Sequence, residues 1–116
     1  MAIAVTSTKN ALCAAYANIA PTVYISVHTA DPGTNGANEA TGGSPAYARK
    51  LTTWTAPANG QISGSQVTID LPAGTYTHAG LWSAANGGTF IDKVVISPTT
   101  LGAQGTLLIT PTFTMS

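Results

Sequence analysis

The stretch Val23-Tyr24-Ile25-Ser26-Val27-His28-Thr29 decides the fold class. Val23, Ile25 and Val27 alternate with Tyr24, Ser26 and His28. Extended chain points successive side chains to opposite faces, so this reads as a strand with one apolar face. The pattern recurs downstream. Val67-Thr68-Ile69-Asp70-Leu71 is a half-buried strand with Val67, Ile69 and Leu71 inward and Asp70 outward. Residues 47–55, 61–63, 76–83 and 89–96 read as further strands. The last runs over 106–115, with Leu107, Ile109, Phe113 and Met115 on one face. Pro111 removes a backbone donor there, which puts that strand at a sheet edge or bulges it. Turn formers lie between these runs: Ala56-Pro57-Ala58-Asn59-Gly60, Pro72-Ala73-Gly74, Asn86-Gly87-Gly88 and the segment 102–105. About seven strands at short spacing specify a mainly β chain: an antiparallel β-sandwich, of which a jelly roll is one form.

Upstream of Pro21 the period changes. Residues 8–20 read as the only helix, with Ser7 or Thr6 as N-cap and Leu12, Tyr16 and Ile19 as its apolar stripe. Pro21 stops it, because the residue before a proline disfavours helical backbone. Cys13 beside Leu12 reads as a small buried hydrophobe, since no neighbouring base or cation is there to activate it. The helix is expected outside the sandwich or over one open end. The chain of 116 residues reads as one domain, 1–116, with its β region over 23–115.

Composition narrows the function. Four Lys+Arg balance four Asp+Glu, and charged residues make up 7%, against about 25% in an average soluble domain. No basic field is present to hold a phosphate backbone, and no polybasic patch to meet anionic lipid. With 44% hydrophobic residues the chain is not expected to be disordered. No apolar run is long enough for a membrane-spanning helix, and Met1–Thr8 does not read as a secretory signal. A single cysteine makes no internal disulfide. Nineteen Thr, nineteen Ala and twelve Gly take the place of charge. Such a surface has little like-charge repulsion to keep copies apart, and near-zero net charge favours association.

The segment from Asp31 to Pro45 strings together Asp-Pro-Gly, Asn-Gly, Gly-Gly and Ser-Pro. A loop this long in a compact domain is uncommon and is usually functional or mobile. Asp31 is expected to cap the Asp-Pro-Gly turn through its side chain. His28, Asp31 and Glu39 could together form a cation site, but two carboxylates make a poor calcium cage. His28 and His78 lack metal-ligand spacing, and no Gly-x-Ser-x-Gly elbow is present. A small hydrolase would need a histidine and a carboxylate within hydrogen-bond reach in a pocket. Neither catalytic residues nor a metal or other cofactor are expected. Trp54 and Trp82 read first as core; exposed, either would be a platform for sugar rings or an interface anchor.

The string from Tyr24 to Gly43, followed by Ser44-Pro45-Ala46-Tyr47-Ala48-Arg49-Lys50 and Trp54, resembles a family of small virion structural proteins of tailed bacteriophages, notably those of actinobacterial hosts. Thr77-His78-Ala79-Gly80-Leu81-Trp82-Ser83-Ala84 and the closing Pro111-Thr112-Phe113-Thr114 fit the same pattern. Such proteins are described as minor tail, tail-fibre or head-decoration components. The resemblance implies a non-enzymatic subunit of the virion, assembled in the host bacterial cytoplasm. Its implied partners are major capsid or tail proteins and further copies of itself.

On that reading the contact residues are Asp31, Asn35 and Glu39 in the long loop, with Tyr47, Trp54 and Trp82. The loop 31–45 and the segment Met1–Thr6 are the expected contact elements, each able to add a strand to a neighbour. The alternative is a carbohydrate- or receptor-binding module, which requires exposed aromatics in a groove.

Overall fold

A computed structural model of the chain describes residues 3–114. Helix α1 (Thr6–Ala17) precedes eight strands: β1 (Val23–His28), β2 (Lys50–Thr52), β3 (Gln61–Ser63), β4 (Val67–Leu71), β5 (Gly74–Trp82), β6 (Phe90–Leu101), β7 (Gly105–Ile109) and β8 (Thr112–Thr114). The chain is mainly β, as its alternation predicts, and every strand pair is antiparallel. One sheet has the order β2-β1-β5-β6. A second layer consists of two ladders, β3-β8 and β4-β7. Ile25 and Val27 of the first sheet meet Val67, Ile69 and Leu71 of the second layer in one buried cluster with Tyr76 and Ala40. Two apolar faces closed against each other make the sandwich.

The helix begins earlier and ends earlier than residues 8–20. Val5 is its N-cap, in extended backbone with no side-chain cap, so neither Ser7 nor Thr6 caps it. Asn18 ends it: its amide Nδ2 donates to the Ala14 carbonyl (2.8 Å), which closes the last turn before Pro21 is reached. The predicted stripe is also displaced. Leu12 and Ile19 are exposed, at 39% and 57%. The docked side is Asn10, Cys13 and Tyr16. Asn10 Oδ1 accepts from the Gly60 amide (2.8 Å). Cys13 is fully buried. Tyr16 stacks on Phe113 with 3.8 Å between centroids.

Two predicted strands are redistributed. Residues 47–55 contribute only β2 to the four-stranded sheet. Beyond Thr52 the chain crosses to the other layer, where Thr55 donates to the Ser63 carbonyl and Ser65 to the Thr53 carbonyl. The last strand divides at Pro111 into β7, paired with β4, and β8, paired with β3. Lacking an N–H, Pro111 cannot continue a ladder; its carbonyl instead accepts from Gly64 (2.8 Å). Leu107 and Ile109 pack against the core, and Phe113 receives Tyr16. Met115 lies outside the described residues, as do Met1 and Ala2 of the expected N-terminal contact segment.

β6 extends to Leu101, beyond the predicted end at Ile96. Tyr76 pairs with Thr99 and His78 with Val95, so Ile96, Ser97 and Pro98 stand opposite Thr77 alone. Pro98 thus sits in a bulge, where its missing donor is tolerated. The turn Ala58–Gln61 closes with reciprocal backbone bonds around Asn59 and Gly60. Both have positive φ (52° and 71°), which is the hairpin geometry that an Asn-Gly pair favours.

Candidate functional site

β1 is buried on both faces. In register, Ser26 stands opposite Gly80, Tyr24 opposite Trp82 and His28 opposite His78. These residues face away from the sandwich core, yet Ser26 and His28 are fully buried. What covers them is the segment after Thr29. It runs beside β1 in place of the strand that β2 is too short to supply. Thr29 donates to the Asn38 carbonyl (3.0 Å) and Ala40 to the Val27 carbonyl (2.9 Å). The Val27 amide donates to the Tyr47 hydroxyl (3.2 Å).

Local chemistry shapes this cover. Asp31 Oδ1 accepts from the Gly33 amide (2.9 Å), the cap expected of Asp-Pro-Gly. Asn35 Oδ1 accepts from the Ala37 amide (3.2 Å), and Asn38 Nδ2 donates to the Asp31 carbonyl (3.1 Å). Asp31 also receives Lys93 Nζ at 2.6 Å, which ties the segment to β6. The Lys93 bond, then the Gly33 amide, hold its carboxyl below the ordinary value. Asp31 and Asn35 remain exposed.

Arg49 is the organising side chain. Its Nε donates to Glu39 Oε2 (2.8 Å) and its Nη2 to Glu39 Oε1 (2.9 Å), a bidentate pair. Its Nη1 donates to the carbonyls of Ala84 and Gly87 in the β5–β6 turn. Its guanidinium lies over the Trp82 ring. Tyr47 donates to Glu39 Oε2 (2.6 Å). Burial raises the Glu39 carboxyl, but the Arg49 and Tyr47 hydrogen bonds outweigh it and leave the group below its usual value. Burial, then the Glu39 bond, push the Tyr47 phenol well up. Trp82 is buried, with its edge toward Phe90 at 5.1 Å between centroids. Its ring is therefore occupied by Arg49 and Phe90.

Beneath this pair runs a polar chain. His28 Nδ1 lies 2.8 Å from the Ala37 carbonyl and Nε2 lies 2.7 Å from Ser26 Oγ. Trp82 Nε1 donates to the same Ser26 oxygen (3.1 Å). His78 Nδ1 bonds the Thr77 hydroxyl (2.8 Å). Both His28 nitrogens are thus committed within the fold. Among the described residues no three His, Cys, Asp or Glu side chains gather as metal ligands, and no helix is long and apolar enough to cross a membrane.

Trp54 lies apart from this network. It borders an open groove of about 480 Å³ between β6 and the β7–β8 bend, with Tyr16, Leu81, Ile109 and Phe113. Its Nε1 is buried with no hydrogen-bond partner among the described residues. Asp92 accepts from the Tyr16 hydroxyl (2.7 Å) at the same groove. Beside it the outer edge of β6 presents Val94 and Val95, exposed at 59% and 71%. The structure thus brings Glu39, Tyr47 and Trp82 together, leaves Asp31 and Asn35 on the outer side of the covering segment, and puts Trp54 elsewhere. Sequence reasoning did not pick out Arg49 or Lys93. The available signal was scarcity: in a chain with so few charges, a lone Arg two positions from Tyr47 needs an acid.

The sequence profile of a family described as podophage GP4 fiber I protein gp80 matches residues 4–112, nearly the whole chain. No curated protein matches it. The chain belongs to this phage-fibre family and is a bacteriophage structural protein.

Proposed function

We propose that this member of the podophage fibre family is a small, non-enzymatic accessory subunit on the particle surface, placed at the tail fibres. It works through protein–protein contacts with other virion components and with further copies of itself. The observation that supports this most is the outer edge of β6, which has no strand partner among the described residues. An edge strand presents unpaired N–H and C=O groups, a ready template for another chain. Here it also carries Val94 and Val95 in solvent. Val5, Leu12 and Ile19 add exposed apolar area on and beside α1. The balanced charge leaves no net repulsion between copies. Light scattering on the purified protein tests self-association: a closed oligomer is expected, and a monomer at all concentrations overturns that part.

A second reading, a glycan- or receptor-binding module, is favoured by one observation. Trp54 lines the groove, edge to face with Tyr16 at 6.0 Å between centroids. A glycan array decides it, since binding that Trp54→Ala abolishes would support the module.

A further inference from the structure

The bonds around His28 fix their own direction. The Ala37 carbonyl only accepts, so His28 Nδ1 carries a proton. Neutral imidazole then has a bare Nε2, which accepts from the Ser26 hydroxyl. Ser26 Oγ in turn accepts from Trp82 Nε1. The chain Trp82, Ser26, His28, Ala37 is therefore complete only while His28 is neutral.

The surroundings are tight around Nε2. Gly80 closes the Nε2 side: a Cβ there would lie 2.7 Å from Ser26 Oγ, 2.7 Å from Phe90 Cε1 and 3.0 Å from His28 Nε2. Phe90 stands edge to face with the imidazole, 6.0 Å between centroids. A proton on Nε2 turns an acceptor into a donor. Ser26 Oγ would then take two N–H groups, and its own hydrogen would lose its partner at a fully buried position. The charged and titratable groups facing the ring come from each packed element. They are Glu39 on the covering segment, Arg49 before β2, and His78 on β5. The Asp31–Lys93 pair joins that segment to β6 at the rim. Glu39 favours the imidazolium, while Arg49 and His78 oppose it.

We propose that His28 is a proton-operated latch: its protonation breaks the Ser26–His28 bond and puts a charge on a fully buried ring, which releases the covering segment 31–40 from β1 and uncovers Trp82 and Phe90. The Ala37 carbonyl keeps its Nδ1–H donor and favours the imidazolium, so the change is driven on the Nε2 side, where Ser26 can no longer donate, and by the charge on a ring fully buried beneath the segment. Burial lowers the imidazole pKa, in agreement with a closed state that selects the neutral ring. The sign follows. The open state takes the proton near the ordinary value of about 6.5, and the closed state only at lower pH. The closed form is fully favoured above that value and is lost as pH falls toward the folded one. Between the two, opening rises by up to about tenfold per pH unit, the limit for one proton.

Nuclear magnetic resonance on the intact chain tests this. Ring-nitrogen shifts at neutral pH are expected to show the proton on Nδ1. Amide exchange at Thr29 and Ala40, corrected for intrinsic rates, is expected to accelerate in step with the His28 titration. The β4–β7 amides are expected to keep their protection. His28→Asn, which retains a donor toward Ala37 but cannot titrate, should remove the acceleration. The proton on Nε2, or protection at Thr29 and Ala40 that ignores the His28 titration, overturns the proposal. So does a folded His28→Asn protein that keeps the same pH dependence.

Discussion

Arg49 lies over the Trp82 ring, 3.7 Å from its centroid, while its Nε and Nη2 hold both carboxylate oxygens of Glu39. One side chain thereby joins the covering segment, the outer face of the sheet and the β5–β6 turn. The pair is mostly buried, with side-chain exposures of 9% for Arg49 and 21% for Glu39.

Arg49→Lys is expected to lower stability by about 2 kcal/mol. It loses the bidentate fork and the stacked guanidinium, and partial exposure of Glu39 keeps the loss below that of a fully buried broken pair. Urea denaturation measures it. A double-mutant cycle with Glu39→Gln should return a coupling above about 1 kcal/mol; additive losses would mean the two act independently.

Gly36 packs its backbone against Trp82 with φ at +79°, so a Cβ would overlap the indole ring. Gly36→Ala is expected to cost about 3 kcal/mol, from overpacking and left-handed strain together. Gly87 also has positive φ (+63°), but open space surrounds it. Gly87→Ala should cost only about 1 kcal/mol. Equal losses in thermal unfolding would contradict the close approach of the segment to Trp82.

The tyrosines report on the same burial at high pH. Burial, then the Asp92 carboxylate, raise the Tyr16 phenol; burial and then Glu39 raise Tyr47; burial raises Tyr76. A folded-state value raised above about 10 gives stability present below that pH and lost as pH rises beyond it. Phenolate absorbance should therefore show Tyr16 and Tyr47 ionising only as the protein unfolds, and Tyr76 ionising later than a free phenol. At low pH the sign reverses for Glu39, whose lowered value gives stability present above its unfolded value and lost as pH falls through the folded one. Glu39→Gln should flatten that acid limb.

Val95 is 71% exposed at the β6 edge. Val95→Lys is expected to leave thermal stability within about 0.5 kcal/mol and to lower the mass seen by light scattering. An edge lysine is a common guard against strand addition. An unchanged oligomer would assign self-association to another surface.

What the sequence made legible was local. β1 and β4 declared themselves by period-two alternation of Val, Ile and Leu, and β3 matched its predicted bounds. Asn59-Gly60 gave its turn, and Asp31 its cap, because each rests on chemistry within a few residues. The unread part depends on distance along the chain. Lys93 reaches Asp31 across 62 positions, and Tyr16 reaches Asp92 across 76. The docked side of α1 was hidden because polar Asn10 sits in it while Leu12 and Ile19 face solvent. Pro111 was seen as an interruption, but which sheets it separates is a property of the assembled layers. Glu39, Tyr47 and Trp82 lie in separate stretches of the sequence, and nothing in their spacing announces that Arg49 unites them.

The most direct measurement is electron microscopy of purified particles labelled with gold-tagged antibody against this chain. Label confined to the tail fibres, in several copies per particle, is the predicted result. Particles that carry no label, although the chain is abundant in the infected lysate, would contradict a virion subunit.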